Sequence, residues 1–324
     1  MLRIISLIVV VVLITFGAEK ASAQDYPQRP VKFILNFGPG AGVDITARLI
    51  GDKLSARWGK PVVIENRPGG DGLVSINAFI SAADDHTLLF VPTSVFTAHP
   101  YTKDKLSYDA ERDLLPITNV TTIVLALSAP ASLEANTLAE FVALARAKPN
   151  TINVAAAAGN SELIMASFIK KENLPIAKVP YRDIMQAPND LAEGRIHLLM
   201  ASYAAMRPLI QAGKLKVLAV TSRARVEIAP NIPTTAEAGF PFLGIEGLIG
   251  LFGPRGMPRS LRETIAKDVR AVIDADPTIA TRLAATGQII DLRGPDEYTA
   301  GIKTMRDQLA EIAKILDIKP AQAQ

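Results

Sequence analysis

Apolar and polar positions alternate in short blocks along the chain, and these blocks predict strands and helices in turn. Short apolar blocks at 31–36, 62–65 and 87–91 predict strands, and longer blocks of helical period at 45–58 and 73–83 predict the helices between them. Strands that alternate with helices favour right-handed βαβ units and a parallel sheet. We therefore expect the first part of the chain to form an α/β unit.

A second series of blocks begins near residue 139 and predicts a second α/β unit. The helical pattern A-E-F-V-A-L-A-R-A-K ends before Pro149, and a strand at 152–156 follows it. Short apolar runs at 196–201 and 215–220 predict buried strands, with a helix at 204–211 between them. Two α/β units in tandem agree with a length of 324 residues, which suits two domains of about 100 to 200 residues each.

Two β-rich runs flank the second unit, and they predict two crossings between the domains. The first run is T-N-V-T-T-I-V-L-A-L-S, and the second is I-E-G-L-I-G-L-F-G-P. The stretches 261–283 and 295–316 are helical in period and are expected to pack back on the first unit. We therefore predict a first domain made of 24–123 and 249–324, and a second domain made of 124–248.

The composition is that of a globular protein with a large core. Hydrophobic residues make up 49% of the chain, charged residues make up 21%, and the formal net charge is +3. The sequence has no basic run and no interleaving of aromatic with basic residues, so we expect no nucleic-acid partner. Cysteine is absent, which excludes disulfides, thiolate nucleophiles and thiolate metal sites.

The N-terminus has the organisation of a secretory signal peptide. Arg3 precedes an apolar run at 4–16, and the small-residue site A-S-A follows it. The alternative is an uncleaved membrane anchor, but this run is shorter than the roughly 20 residues that a membrane span needs. We therefore predict a signal peptide at 1–23, cleavage directly after it, and export of the mature protein.

Few residues are available for catalysis or metal binding. The three histidines, His86, His99 and His197, match no metal-binding spacing, and H-E-x-x-H is absent. A secreted hydrolase would need a nucleophile with a base, but neither G-x-S-x-G nor S-x-x-K occurs in a convincing strand-turn-helix setting. We keep a hydrolase as a remote alternative and otherwise expect no enzyme activity, no metal and no cofactor.

The stretch F-I-L-N-F-G-P-G-A-G-V-D-I-T-A-R-L-I runs from a strand through a glycine turn towards a helix. A dinucleotide fingerprint needs G-x-G-x-x-G, but Val43 takes the third glycine position. Glu65 stands where a ribose-binding acid can lie, which supports a dinucleotide site. The predicted export argues against a nicotinamide cofactor, because these cofactors are cytosolic reagents. A Walker phosphate loop is excluded because G-K-[ST] is absent.

A small anion suits this turn better than a nucleotide does. Glycines let the backbone approach a ligand, and the first N–H groups of a helix have no intrahelical partner, so a carboxylate can bind there. Asp44 falls in the first turn of the helix, where it either takes up free amides or meets a cationic or hydroxyl group of the ligand. The alternative is a plain glycine-rich turn with an acidic residue that favours the helix.

Several segments match, in order, the motifs of one known family. Y-P-Q-R-P stands before the first strand and G-P-G-A-G-V-D stands after it, followed by I-E-N-R-P-G-G-D-G and V-P-Y-R-D. A-G-K-L-K-V-L-A-V-T-S and P-N-I-P-T-T-A-E-A-G-F-P come later in the chain. The series resembles the Bug-type, or tripartite tricarboxylate transporter receptor (TctC-like), family of periplasmic solute-binding proteins, over nearly all of the mature chain.

The resemblance implies the periplasmic-binding-protein, or Venus-flytrap, architecture. In this architecture two α/β domains are joined by two crossing strands, and the cleft between them closes on a small organic acid, often a dicarboxylate. The resemblance also implies delivery of the acid to membrane subunits of a transporter, and we expect a monomer. A sensory receptor of the same fold that feeds a signalling partner is an open alternative.

The chemical identity of the acid is also open. Aliphatic diacids of about four to six carbons, tricarboxylates and aromatic acids are all compatible with a carboxylate held by backbone amides. The uncharged residues near 200 favour a longer or less hydroxylated diacid.

The resemblance implies that the glycine turn holds one carboxylate of the ligand through backbone amides and bound waters. The family's T-S after its third strand corresponds to Thr93 and Ser94, whose hydroxyls can donate to a carboxylate or can simply form a strand-end turn. The turn residues that correspond to the family site are Phe37, Gly38, Gly40, Ala41, Gly42 and Asp44.

The second domain departs from the family pattern. A-A-A-A-G-N-S-E replaces a Gly-Ser/Thr-rich helix start, and Met200, Ala201 and Ser202 replace F-D-N, which argues against an amino-bearing ligand. Arg182 either serves a second carboxylate or pairs on the surface with Asp183 or Glu162, and Tyr203 either serves that carboxylate or caps the core. The candidate ligand-binding residues of this domain are Gly159, Asn160, Ser161, Arg182, Asp183, Ser202 and Tyr203.

Overall fold

The computed structural model describes residues 26–181 and 183–321. The predicted signal peptide lies outside these residues, and so does Arg182. No helix within the described ranges is long and apolar enough to cross a membrane. The described residues form eleven strands, which are β1 (Val31–Leu35), β2 (Val62–Asn66), β3 (Thr87–Pro92), β4 (Leu114–Ile123), β5 (Leu125–Pro130), β6 (Asn153–Ala156), β7 (Ala177–Lys178), β8 (Leu198–Ser202), β9 (Leu215–Val220), β10 (Gly247–Pro254) and β11 (Gln288–Arg293).

Helices cover the sheets and connect most of the strands. Five of the longer helices begin and end within about three residues of predicted stretches. The predicted stretch 261–283 instead forms two helices, because Pro277 interrupts it, and the helix Asn160–Lys171 is not among the predicted stretches. The helices are α1 (Gly42–Trp58), α2 (Leu73–Ala82), α3 (Ser94–Thr97), α4 (His99–Thr102), α5 (Ala110–Asp113), α6 (Leu138–Ala147), α7 (Asn160–Lys171), α8 (Ala187–Ala192), α9 (Tyr203–Gln211), α10 (Arg259–Asp274), α11 (Thr278–Ala285) and α12 (Pro295–Leu316).

The strands form two sheets. The first has the order β11-β4-β10-β3-β1-β2, and the second has the order β7-β6-β8-β5-β9. β1 is parallel to β2 and β3, and β6 is parallel to β7 and β8. β3 is covered on both faces, which explains its unbroken apolar run L-L-F-V.

We call 26–123 with 247–321 the first lobe and 125–246 the second lobe.

The chain passes between the sheets twice. β4 continues through Val124 into β5, and the return path runs from β9 through residues 221–246 into β10. β10 is antiparallel to β3 and β4, and β5 is antiparallel to β8 and β9. Each sheet is therefore mixed and not parallel throughout as predicted, because the crossing strands run against the βαβ strands. The division into domains at residues 124 and 248 stays a prediction.

Helix α12 packs on both lobes, against β4 in the first and α7 in the second. One apolar cluster runs through both lobes and includes Phe79 and Tyr298 from the first and Phe141 and Phe168 from the second. Two further clusters fill the opposite faces of the two sheets. The interlobe region on the α12 side is therefore part of the hydrophobic core.

One guanidinium ties both crossings to the first lobe. Arg293 donates to the two oxygens of Glu246, at 3.0 and 3.2 Å, directly before β10. It also donates to the two oxygens of Asp291, at 3.0 and 2.7 Å, and Asp291 accepts from the hydroxyl of Thr122 near the end of β4, at 2.7 Å. Bidentate pairs of this kind are among the stronger hydrogen bonds, so the two crossings are anchored side by side.

Candidate functional site

The carboxyl ends of the parallel strands in the two lobes face each other. The turn after β3 touches the turn after β6, since a Cβ on Gly159 would lie 3.6 Å from the Cβ of Ser94. Across the same boundary the hydroxyl of Thr97 donates to Oδ1 of Asn160, at 2.7 Å. Ligands of open α/β sheets bind beyond the carboxyl ends of the strands. A ligand site is therefore expected at the interlobe boundary.

The glycine turn after β1 has a backbone that only glycine adopts easily. Gly40 has a φ of 84°, in the left-handed region. The N–H of Ala41 donates to the carbonyl of Gly38 at 3.3 Å, and α1 begins at the next residue, Gly42. Ala41 provides no side-chain cap, so the first amides of α1 are not taken up by a capping group. Phe37, at the start of the turn, is exposed.

Asp44 holds this turn closed. The residue is only 2% exposed, and its carboxylate accepts from the N–H of Gly40 at 2.9 Å and from Nδ2 of Asn66 at 2.8 Å. Arg48, one helical turn further on, donates to both carboxylate oxygens, at 2.9 and 3.0 Å. Asn66 also donates to the carbonyl of Phe37, at 3.0 Å. Of the two roles that the sequence left open, Asp44 takes up an amide of the turn.

These contacts lower the pKa of Asp44. Burial works to raise it, but hydrogen bonds from Arg48, the Gly40 amide and Asn66, together with the charge of Arg48, outweigh burial and hold the pKa below its ordinary value. A carboxyl with a depressed pKa stabilises the fold at pH values above its unfolded pKa, about 3.9. That contribution is lost as the pH falls through the folded pKa.

Asp44→Asn should therefore lower the free energy of unfolding at neutral pH, because the amide cannot accept from Arg48 as a carboxylate does. The deficit relative to the wild type should stay nearly constant from about pH 5 to 8 and should shrink below about pH 4, where the carboxyl of Asp44 protonates first in the unfolded chain and then, at lower pH, in the folded protein. Urea unfolding of both proteins across this range measures the difference. A deficit that does not change with pH would rule out the ionised carboxylate as its source.

Thr93 and Ser94 are placed differently from each other. Thr93 is buried, its N–H donates to the carbonyl of Leu248 at 3.0 Å, and its hydroxyl points to the same carbonyl at 3.4 Å. Ser94 begins the short helix α3 and is half-buried at the contact with Gly159. Ser94 is therefore the hydroxyl of this pair that lies at the interlobe boundary.

The second lobe presents the start of α7 to this boundary. Gly159 has φ 82° and ψ −131°, a conformation open to glycine, and provides no side-chain cap. Asn160 is held by the hydroxyl of Thr97, and Ser161 is buried, with 4% of the residue exposed. The structure thus brings the predicted residues after β6 together with the turn after β3.

A second helix of the same lobe, α9, begins beside Val124, the residue that links β4 to β5. Ser202 ends β8 and precedes α9 without a side-chain cap, and the N–H of Tyr203 donates to the carbonyl of Val124 at 2.9 Å. The Tyr203 ring belongs to an apolar cluster of the second lobe. The backbone of Tyr203 therefore anchors α9 to the crossing. The position of its ring agrees with the alternative in which Tyr203 caps the core.

Asp183 has a local structural role. Its Oδ1 accepts from the N–H of Met185 at 3.0 Å and caps a single 3₁₀ turn, Ile184–Gln186. Asp183 is exposed. The neighbouring candidate Arg182 lies outside the described residues.

Two of the cavities formed by the described residues are lined by none of the candidate residues, although Thr97 of the interlobe boundary lines the first of them. One, of about 590 Å³, has Phe96, Ile302 and Arg306 among its lining residues, and the other, of about 530 Å³, has Arg223 and Gln308. Neither is lined by the glycine turn or by the start of α7. The candidate site is therefore defined by backbone geometry and hydrogen bonds.

Sequence reasoning did not single out Asn66, Arg48 or Gln288. Asn66 stands in the quoted segment I-E-N-R-P-G-G-D-G, and Arg48 is four residues after Asp44, so both carried a local signal. Gln288 begins the strand β11, which lies outside the predicted elements because its run Q-I-I-D-L-R is short. Gln288 accepts from the hydroxyl of Thr46 in α1, at 3.1 Å.

Helices α1, α7 and α9 all begin without a side-chain cap, and they come from both lobes. Amides without a partner and the helix dipole make such starts favourable places for an anion. In α9 the first amide, that of Tyr203, already donates to the carbonyl of Val124, so only the amides after it are available. Two α/β lobes, two crossings and facing strand ends define the class of periplasmic binding proteins.

Comparison with known proteins narrows this class to a family. A model described as "Tripartite tricarboxylate transporter family receptor" matches residues 46–315. A UPF0065 protein of Bordetella bronchiseptica is 30% identical over 319 residues, which cover 97% of this chain and 94% of that protein. The structure of R. palustris Rpa4515 with adipate is 26% identical, with a TM-score of 0.77, and covers 91% of this chain and 99% of that one. The periplasmic binding protein BugD is 25% identical, with a TM-score of 0.71 and coverage of 92% and 100%.

The chain belongs to the tripartite tricarboxylate transporter receptor family. This is a family of periplasmic solute-binding receptors. The expected fold class is thereby confirmed, as is the resemblance read from the sequence motifs.

Proposed function

We propose that this protein is a periplasmic receptor that binds a small organic acid, in the first instance a dicarboxylate, between its lobes. It delivers the acid to the membrane subunits of a tripartite tricarboxylate-type transporter. The observation that supports this proposal best is the set of uncapped helix starts at the interlobe boundary, one from the first lobe and two from the second.

An acid with two carboxylates suits this arrangement. A helix N-terminus stabilises an anion by about 0.3 to 1 kcal/mol, and by up to ~2 kcal/mol where the site is partly buried. Because α1 belongs to the first lobe and α7 and α9 to the second, a diacid can engage both lobes at once. The adipate in the R. palustris structure is an acid of this kind.

Binding at both ends gives a reason for closure. A ligand shifts an equilibrium between open and closed arrangements only by its different affinity for the two, and contacts to both lobes favour the closed one. The Thr97 hydroxyl on Asn160 and the packing of Ser94 on Gly159 lie at the boundary where the lobes approach each other. In our proposal the receptor works as a monomer and is released to the periplasm by cleavage after residue 23.

A paired ligand screen tests the proposal. The mature chain, 24–324, is measured with diacids from succinate to pimelate, each beside the monocarboxylic acid of equal carbon number, and with citrate. We expect at least one diacid to raise Tm, because it binds only the folded state, and to bind about 100-fold more tightly than its monoacid, since charged hydrogen bonds at one end are lost. Equal affinity of a diacid and its monoacid would contradict two-ended binding, and no shift with any acid would contradict the receptor role.

Uptake measurements test delivery to a transporter. Deletion of the gene in the source organism should abolish uptake of the labelled acid found in the screen, and a plasmid copy should restore it only while the membrane subunits are present. Normal uptake in the deletion strain would instead support the sensory alternative.

A further inference from the structure

Gln288 is buried where α1, β4 and β11 meet. Only 1% of the residue is exposed. Its Oε1 accepts from the hydroxyls of Thr46 in α1, at 3.1 Å, and Thr121 in β4, at 2.8 Å. Its Nε2 donates to the hydroxyl oxygen of Thr286, at 2.9 Å. One side chain therefore joins the first turns of α1 to the strand that crosses between the lobes.

Gly42, the first residue of α1, packs directly on this amide. A Cβ at Gly42 would lie 2.9 Å from Nε2 of Gln288 and 3.6 Å from Oγ1 of Thr286. The first of these distances is shorter than real Cβ contacts, so a side chain at Gly42 would displace either the helix start or Gln288. Glycine at this position lets the turn rest against β11.

The neighbouring residue, Gly287, touches the second lobe. It has a φ of 73°, and a Cβ there would overlap the Cβ of Ala204 in the first turn of α9. Its carbonyl accepts from the N–H of Val124 at 3.2 Å, and the carbonyl of Val124 accepts from the N–H of Tyr203 at 2.9 Å. The segment 286–288 therefore contacts the start of α1 on one side and the start of α9 on the other.

We infer that Gln288 is a positioning residue for the ligand site. It holds the amides of the glycine turn in place relative to the crossing strand and, through the adjoining Gly287, relative to α9 of the second lobe. Gln288 acts through Gly42 and Thr46 and does not itself bind the acid. This inference rests on the proposed function, because it assigns to a buried side chain the alignment of the two helix starts that the diacid bridges.

A double-mutant cycle between Gly42 and Gln288 tests the inference. Gly42→Ala, Gln288→Ala and the double variant are titrated by calorimetry with whichever of succinate, glutarate, adipate, pimelate or citrate saturates the wild type. We expect Gly42→Ala to weaken binding about tenfold in the wild-type background and less than about twofold in the Gln288→Ala background, because the shorter side chain leaves room for the new Cβ. Gln288→Ala alone should weaken binding about tenfold.

Gln308→Ala is the matched control. Gln308 in α12 is a partly buried glutamine whose amide, like that of Gln288, joins two parts of the fold, since its Nε2 donates to the carbonyls of Phe242 and Gly244. Its loss should lower Tm and leave the affinity within about twofold of the wild type, because neither carbonyl belongs to the glycine turn.

The outcomes separate this inference from the proposed function. Gln288 is only structural if Gly42→Ala weakens binding by the same factor in both backgrounds, or if Gln288→Ala lowers Tm without weakening binding. In either case the inference fails while the receptor role stands. If the wild type binds none of the five acids, the proposed function fails and the inference fails with it. Relief of the Gly42→Ala defect by Gln288→Ala supports both.

Discussion

Gly40→Val is expected to weaken acid binding by about 5- to 30-fold. Gly40 has a φ of 84°, and a Cβ there would meet nothing within 4 Å, so the effect comes from the backbone and not from packing. A side chain in the left-handed region costs about 1 to 2 kcal/mol, and a β-branched residue is disfavoured further. The turn relaxes to relieve this strain, and its amides, including the N–H that Asp44 holds, leave their positions.

Gly256→Val provides the matched control. Gly256 has a φ of 82° and equally open space around it, but it follows β10, whose end lies beside the amino end of β3 and not beside the carboxyl ends of the parallel strands. Both variants should lose fold stability, and only Gly40→Val should lose affinity in calorimetric titration with the diacid from the screen. If the two variants bind the diacid equally well, the backbone of the glycine turn does not hold the ligand.

In the second lobe, Gly159→Ala is expected to weaken acid binding by about tenfold or more. Its φ of 82° and ψ of −131° lie in a region that other residues rarely enter, at a strain of about 1 to 3 kcal/mol. The new Cβ would lie 3.6 Å from the Cβ of Ser94, which is an ordinary contact, so strain and not overlap causes the effect. Relaxation would turn the first amides of α7 away from the interlobe boundary.

Gly213→Ala controls for the general cost of a side chain at positive φ. Gly213 has a φ of 69° and open surroundings, and it lies between α9 and β9, away from the carboxyl ends of the parallel strands. Thermal unfolding should show a loss of stability in both variants, whereas titration should show lost affinity in Gly159→Ala alone. If Gly159→Ala binds the diacid with wild-type affinity, the start of α7 is not part of the ligand site.

The parts of the site that follow local rules could be predicted from the sequence. The glycine turn and the start of α7 carry glycines at the end of a strand, and apolar periodicity locates the helix that follows the glycine turn. Arg48 and Asp44 lie one helical turn apart in α1, so their ion pair also follows from local spacing. The role of Asn66 depends on strand pairing as well as on local sequence. Asn66 meets the glycine turn because β1 and β2 pair in parallel with Leu35 opposite Asn66.

Contacts that depend on the return crossing could not be predicted in this way. Thr93 carries a hydroxyl suited to a carboxylate, but β10 comes back antiparallel to β3 and offers the carbonyl of Leu248 to it. Gln288 meets Thr46 across 242 residues of sequence, so no local pattern reports the contact. The parallel sheet predicted from βαβ alternation became a mixed one for the same reason, because alternation does not reveal the direction of a crossing strand.

If one acid bridges the two lobes, its binding must shorten the distance between them, and a measurement of this distance is the most direct test of the proposed function. The chain has no cysteine, so Val74→Cys in the first lobe and Met185→Cys in the second give two unique sites for spin labels. Both residues are exposed, at 48% and 61%, and both follow parallel strands at their carboxyl ends. The labelled protein must first be shown to bind the diacid as the unlabelled protein does.

Pulsed electron-spin distance measurement should then show a shorter interlobe distance with the saturating diacid and an unchanged distribution with the monoacid of equal carbon number. An unchanged distance with a diacid that binds, or equal shortening with its monoacid, would contradict binding that bridges the lobes.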